Sequence, residues 1–141
     1  MSRLDAKWEF SDAQSVIADA YSTNVVDLGN LGITYPQIGA LFLNCVLTTG
    51  FTSCVSIDVI LRTGTGVDGT PDLNAGVYQL LSRLVLHSDF SLATTAGDGR
   101  VLLSAAIPLA VCARYLQVYY DVDTPVGTAV INCWMGLHPL N

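Results

Sequence analysis

The sequence predicts an all-β protein, an antiparallel jelly-roll-like β-sandwich preceded by an extended N-terminal arm, and three observations carry that expectation. The charged residues are lopsided: eleven Asp against Glu9 alone, and five Arg against Lys7 alone. Glu and Lys fill exposed helix faces while Asp favours turns and caps, so their scarcity argues against helices. Segments rich in Val, Ile, Thr and Tyr alternate apolar and polar positions, and turn clusters separate them at short intervals without βαβ alternation. At 141 residues the chain has room for one core and not for two.

In chain order, the opening Phe10 to Asn30 (FSDAQSVIADAYSTNVVDLGN) begins polar and interrupted and ends strand-like. Residues 1–23 read as the arm and 24–141 as the sandwich domain. Trp8 and Phe10 are its large apolar anchors, set among Asp5, Lys7, Glu9, Ser11 and Asp12, a pattern suited to docking on a partner. The other reading has Trp8 and Phe10 open the first strand and fill one end of the sandwich. Ser11 to Ala20 could instead make a helical turn or two, as could Gly76 to Arg83 with Asn74 as its cap.

Strands are expected at Asn24 to Leu28, Ala40 to Thr48, Cys54 to Thr63, around Leu84 to Asp89, Val101 to Ala106, Arg114 to Val122 and Thr128 to Leu137. In Arg114 to Val122, Leu116, Val118, Tyr120 and Val122 share one face. Tyr115, Gln117, Tyr119 and Asp121 share the other, an amphipathic candidate contact surface. Phe42, Val46, Val130 and Trp134 line second faces that are too apolar to stand in water. At roughly 25 cal/mol per Å², another sheet, an arm or a second copy should cover part of them.

A net charge of −6 with scattered arginines offers no basic stripe, so nucleic-acid binding is not expected. The N-terminus lacks an apolar leader-like run. The longest apolar run, Ala105 to Ala113, is about half a membrane span and contains Pro108, so neither membrane insertion nor secretion is expected. Cys45, Cys54, Cys112 and Cys133 show neither metal nor redox spacing, and are expected to be reduced core residues of a protein made in the cytoplasm.

Constellations for chemistry are weak. Asp121-Val-Asp123-Thr124 imitates the start of a phosphoryl-transfer motif, but Pro125 makes it a turn and no Lys follows. The loop Asp68 to Asn74 spaces oxygen ligands as calcium could use them, yet Asp and Asn suit turns for backbone reasons alone. His87 and His138 have no recognisable nucleophile beside them, and the glycines of Thr63 to Gly69 lack the Lys of a phosphate loop. No catalytic, metal or cofactor residue is assigned, and an enzyme is not expected. Tyr115, Tyr119 and the Asp68 to Asn74 loop would serve a carbohydrate-binding jelly roll, the alternative reading.

The run Phe10-Ser-Asp-Ala-Gln14, then Ser22 to Gly29 (STNVVDLG), resembles the N-terminal signature of tailed-phage capsid cement proteins, and Arg114 to Tyr120 (RYLQVYY) is similar to a strand near that family's C-terminus. The resemblance covers about a third of the chain. It implies a non-enzymatic jelly-roll protein on the outer surface of an icosahedral head, clamping the major capsid protein, with the arm lying on a neighbour. Copies of itself are further expected partners, a dimer being favoured. Trp8, Phe10, Asp12, Gln14, Tyr115 and Tyr119 are the candidate contacts. The four cysteines and the glycine-rich Thr63 to Gly76 loop depart from the family pattern.

Overall fold

The computed structural model describes residues 8–28, 41–64, 78–87, 92, 99–108, 112 and 114–140. Nine strands run in chain order: β1 (Glu9–Val16), β2 (Ala20–Tyr21), β3 (Val26–Asp27), β4 (Phe42–Thr49), β5 (Ser56–Gly64), β6 (Tyr78–Leu86), β7 (Arg100–Ala106), β8 (Tyr115–Asp123) and β9 (Ala129–Gly136). Among the described residues there is no α-helix.

One sheet has the order β1-β9-β4-β7 and the other β2-β8-β5-β6, with β3 also on β8; the paired strands are antiparallel. β2 meets β8 at Tyr119 and Tyr120 while β3 meets it at Tyr115 and Leu116, so the two act as one interrupted edge. Counted so, the first strand pairs the last, the second the seventh, the third the sixth and the fourth the fifth, which is the jelly-roll order. Ser22 bridges the interruption: its amide donates to Val118 O at 2.7 Å and its hydroxyl accepts the Val118 amide at 3.1 Å. The side chain thus replaces a ladder bond that the backbone alone would leave open.

The two-residue period of β5 and β8 places Ile57, Val59, Leu61, Leu116, Val118, Tyr120 and Val122 on the inner face of their sheet. Opposite them, β4 and β9 contribute Leu43, Cys45, Leu47, Ile131, Cys133 and Met135. Each large apolar side chain so buried favours folding by about 1.5–3 kcal/mol.

The arm is corrected. Residues 9–16 are an edge strand of the first sheet, and Phe10 and Val16 are fully buried in the core. The sandwich therefore begins at Glu9, not Asn24, and the turn expected over Ser11 to Ala20 is not a helix. Two register shifts hide β1 in the sequence, between Glu9 and Ser11 and between Ser11 and Gln14. Ala13, at φ 47°, takes the left-handed region, and its amide donates to Asn132 Oδ1 at 2.7 Å. Bulges of this kind break the two-residue period.

The helix considered over Gly76 to Arg83 is likewise replaced, over its described residues Tyr78 to Arg83, by β6, which pairs with β5. An irregularity opposite Leu61 and Arg62 leaves Leu80 as an extra residue, so Leu80, Leu81 and Leu84 fall at helix-like spacing. Of the glycine-rich stretch Thr63 to Gly76, Thr63 and Gly64 end β5, and the rest, including Asp68 to Asn74, lies outside the described residues.

On the outer face of the first sheet, the C-terminal residues fold back across β4 and β7. Asn44 Nδ2 donates to His138 O at 3.1 Å, and the Leu140 amide donates to Ser104 Oγ at 2.8 Å. Trp134 is buried, and Phe42, Val46 and Val130 are half-buried, so much of that apolar face is covered within the chain.

Candidate functional site

The outer face of the second sheet gathers the polar and aromatic side chains that alternation takes out of the core. From β5 come Asp58, Ile60 and Arg62, and from β8 come Tyr115, Gln117, Tyr119 and Asp121, with Asp58 directly opposite Asp121 and Ile60 opposite Tyr119. β2 adds Tyr21 beside Tyr119, their rings 4.8 Å apart at 47°, and the Arg62 guanidinium lies 5.2 Å from the Tyr21 ring centre. Tyr21 keeps 47% of its surface exposed. An aromatic ring carrying a cation and flanked by a second ring is a preorganised contact platform.

Acidic groups border the rings. Asp19 accepts the Val122 amide at 2.7 Å, and its charge bears on both Tyr119 and Asp121. Desolvation first, then the Asp121 charge, raises the carboxyl pKa of Asp58, whose Oδ1 is buried with no hydrogen-bond partner. Asp121 is raised by desolvation and by Asp19, and Tyr119 is raised by desolvation and by Asp19 and Asp121. Further along, Arg114 grips Asp27 through Nε at 2.9 Å and a second nitrogen at 3.0 Å, and lies 5.1 Å from the Tyr115 ring centre. That pairing raises the Arg114 pKa still further. It ties β3 to the start of β8.

Of the six expected contact residues, the structure brings few together on a surface. Phe10 is corrected to a core residue, and Tyr115 is 3% exposed and so is not a contact surface. Trp8 is half-buried against the core. Gln14 is committed inside the chain: Nε2 donates to Tyr21 O at 2.9 Å, while Oε1 accepts the Thr23 amide at 2.9 Å and the Ser11 hydroxyl at 2.6 Å. Asp12 is exposed, and Tyr119 is half-buried within the aromatic pair. Tyr21, Asp19 and Arg62 join Tyr119 without a local signal, because β2 and β5 reach β8 only through long-range pairing. The alternation of β5, which sets Asp58, Ile60 and Arg62 on one face, was the one available clue.

The remaining chemistry-bearing residues are placed apart from this face or in simple roles. Asp121 and Asp123 sit at the end of an antiparallel strand and are exposed. His87 Nδ1 accepts the Leu92 amide at 3.1 Å. Among the described residues no group of three or more His, Cys, Asp or Glu is arranged to hold a metal ion. All four cysteines are free. Cys45 and Cys133 oppose each other between β4 and β9, and burial raises the Cys45 thiol far above its ordinary range. The half-buried Cys112 thiol is pushed up to about 11 by desolvation. Compared with known proteins, the sequence matches no family model and no curated relative.

Proposed function

We propose that this protein is a capsid cement protein: a non-enzymatic virion component, made in the host cytoplasm, that binds the outer surface of an icosahedral phage head and bridges copies of the major capsid protein, together with other copies of itself. One observation carries the reading. The segments that resemble the cement family interlock with one another along β8. Gln14 bonds Tyr21 and Thr23, the Asn24 amide donates to Phe10 O at 3.0 Å, Ser22 bonds Val118, Arg114 clasps Asp27, and Ser11 meets the Tyr120 hydroxyl at 2.8 Å. Residues recurring in a signature are expected where side chains, rather than backbone, close the fold, and a jelly roll is a frequent architecture of viral capsid proteins.

The outer face of the second sheet, centred on Tyr21, Tyr119 and Arg62, is the surface assigned to the head. Purified protein mixed with undecorated expanded heads should bind saturably and raise their resistance to heat. Absence of binding to every head form would remove the reading.

A second reading, a carbohydrate-binding jelly-roll module, rests on the exposed Tyr21 ring and the carboxylates beside it, since aromatic faces and acidic acceptors are what sugar rings and hydroxyls engage. A glycan array probed with and without calcium separates the two readings.

A further inference from the structure

We infer that Cys45 and Cys133 are a latent cross-link within the chain: a buried dithiol that a small peroxide closes into a disulfide, stapling β4 to β9 at the centre of the first sheet. The two residues are direct cross-strand partners, and the ladder between β4 and β9 is regular on either side of them, from Phe42 and Gly136 to Leu47 and Ile131. Both side chains lie in the core with Leu43, Leu47, Ile131 and Met135, and both thiols are free and fully buried. Facing Cα atoms of an antiparallel pair are about 4.5–5.5 Å apart, inside the span of about 4.4–6.8 Å that a disulfide bridges. The bond therefore needs rotation of two side chains and no slip of the strands. The other two cysteines lie outside the strands, where Cys54 donates its thiol hydrogen to Ser56 O at 3.1 Å and Cys112 donates to Pro108 O at 3.5 Å.

The way in for the oxidant is the β1 edge. Cys133 pairs with Ser11 of β1, and the β1–β9 ladder breaks register on both sides of Ser11. An edge strand with an irregular ladder opens more readily than the centre of a sheet. The Ser11 hydroxyl, 2.8 Å from that of Tyr120, also sets polar atoms in the row that holds Cys133. In the first step the Cys133 sulfur attacks one peroxide oxygen, the O–O bond breaks, and the thiol proton leaves with the other oxygen as water, so that Cys133 becomes a sulfenic acid. In the second the Cys45 sulfur attacks that of Cys133, the S–O bond breaks, and the Cys45 proton leaves with the hydroxyl as a second water. Two thiols are oxidised to one disulfide while one peroxide is reduced to two waters. Burial holds Cys45 as a neutral thiol, so the reaction is slow in the closed sandwich. The bond encloses a stretch of about ninety residues that carries β5 to β8, and it constrains the unfolded chain more than the folded one. A reducing cytoplasm reverses such a bond, and outside one it persists.

This inference concerns the chain itself and stands apart from the cement reading. Combining Cys54→Ala with Cys112→Ala leaves the pair as the remaining thiols. After treatment of the folded protein with hydrogen peroxide, both thiols of that variant should resist alkylation in denaturant until dithiothreitol is added. Peptide mapping of the treated native chain under non-reducing conditions should recover Cys45 joined to Cys133. The oxidised protein should melt at least about 5 °C above the reduced one, and dithiothreitol should remove the gain. Cys133→Ala, treated in the same way, should show neither the link nor the gain. Full alkylation of Cys45 and Cys133 after peroxide in both proteins, a disulfide that runs through Cys54 or Cys112 in place of this one, or a Cys45–Cys133 link that leaves the melting temperature unchanged or lower would each overturn the inference.

Discussion

Gln14 holds Thr23 across the corner of the sandwich, its Oε1 accepting the Thr23 amide at 2.9 Å while its Nε2 donates to Tyr21 O at 2.9 Å. A single side chain therefore fixes the loop that carries β1 into β2 and β3. The same oxygen takes the hydroxyl proton of the buried Ser11, leaving Ser11 to accept from Tyr120. Gln14→Ala deprives the Ser11 hydroxyl of an acceptor and two backbone groups of partners. It should cost about 1–3 kcal/mol in denaturant unfolding, with the β-sheet spectrum unchanged.

Removal of Met1 to Ala20 should unfold the protein. The deletion takes away β1, the edge partner of β9, together with the fully buried Phe10 and Val16. Phe10→Ala alone should cost about 3–5 kcal/mol through the cavity it leaves. A truncated chain with native melting behaviour would contradict the placement of β1 in the sheet.

What the sequence disclosed and what it concealed follow from where the two-residue period survives. β5, β8 and β9 alternate cleanly because their ladders run long and mostly regular, so their inner faces could be read directly. β1 and β6 were hidden by extra residues at Ala13 and Leu80, which shift the apolar positions to spacings that imitate an arm or a helix. The candidate face was half legible: Tyr119 and Asp121 stood on one side of β8, but Tyr21 and Asp19 join them only because β2 pairs with β8, far away in the sequence. The same alternation puts Tyr115 on the outer face of β8. It is covered, since strand periodicity reports which face a residue is on and not what else lies over that face.

Gly127 has φ 86°, and a Cβ placed on it would lie 2.5 Å from Thr52 Oγ1 and 3.1 Å from the Thr52 amide nitrogen. The Thr52 amide is itself bonded to Val126 O at 2.8 Å, so the backbone there cannot easily yield. Gly127→Ala should lower stability by about 1–3 kcal/mol, measurable as a reduced melting temperature, through strain at a left-handed position combined with the clash.

Asp58 gives a pH dependence. Its folded-state pKa is raised, by desolvation and then by Asp121, so its charged form opposes folding. The penalty is present above the raised pKa and is relieved as pH falls through it, vanishing below the unfolded value where both states are protonated. Asp58→Asn should therefore melt higher than the parent at neutral pH, and the two melting temperatures should converge as the pH is lowered to about 3. A variant that melts lower at neutral pH would mean that the Asp58 carboxylate has a favourable partner.

The assignment of the second sheet's outer face to the phage head is tested at the tyrosine pair. Tyr21 is 47% exposed and stacks on Tyr119, so removing these rings disturbs the contact platform while leaving the inner face, with Leu116, Val118 and Tyr120, in place. If the platform docks on the capsid, Tyr21→Ala combined with Tyr119→Ala should weaken binding to expanded heads by at least about 2 kcal/mol, roughly thirtyfold, as loss of a central aromatic contact does. Trp8→Ala should behave differently, because Trp8 packs against the core: its effect should fall on the melting temperature rather than on the affinity of the folded fraction. Head binding unchanged in a double variant that retains its β-sheet spectrum would move the contact surface off this face.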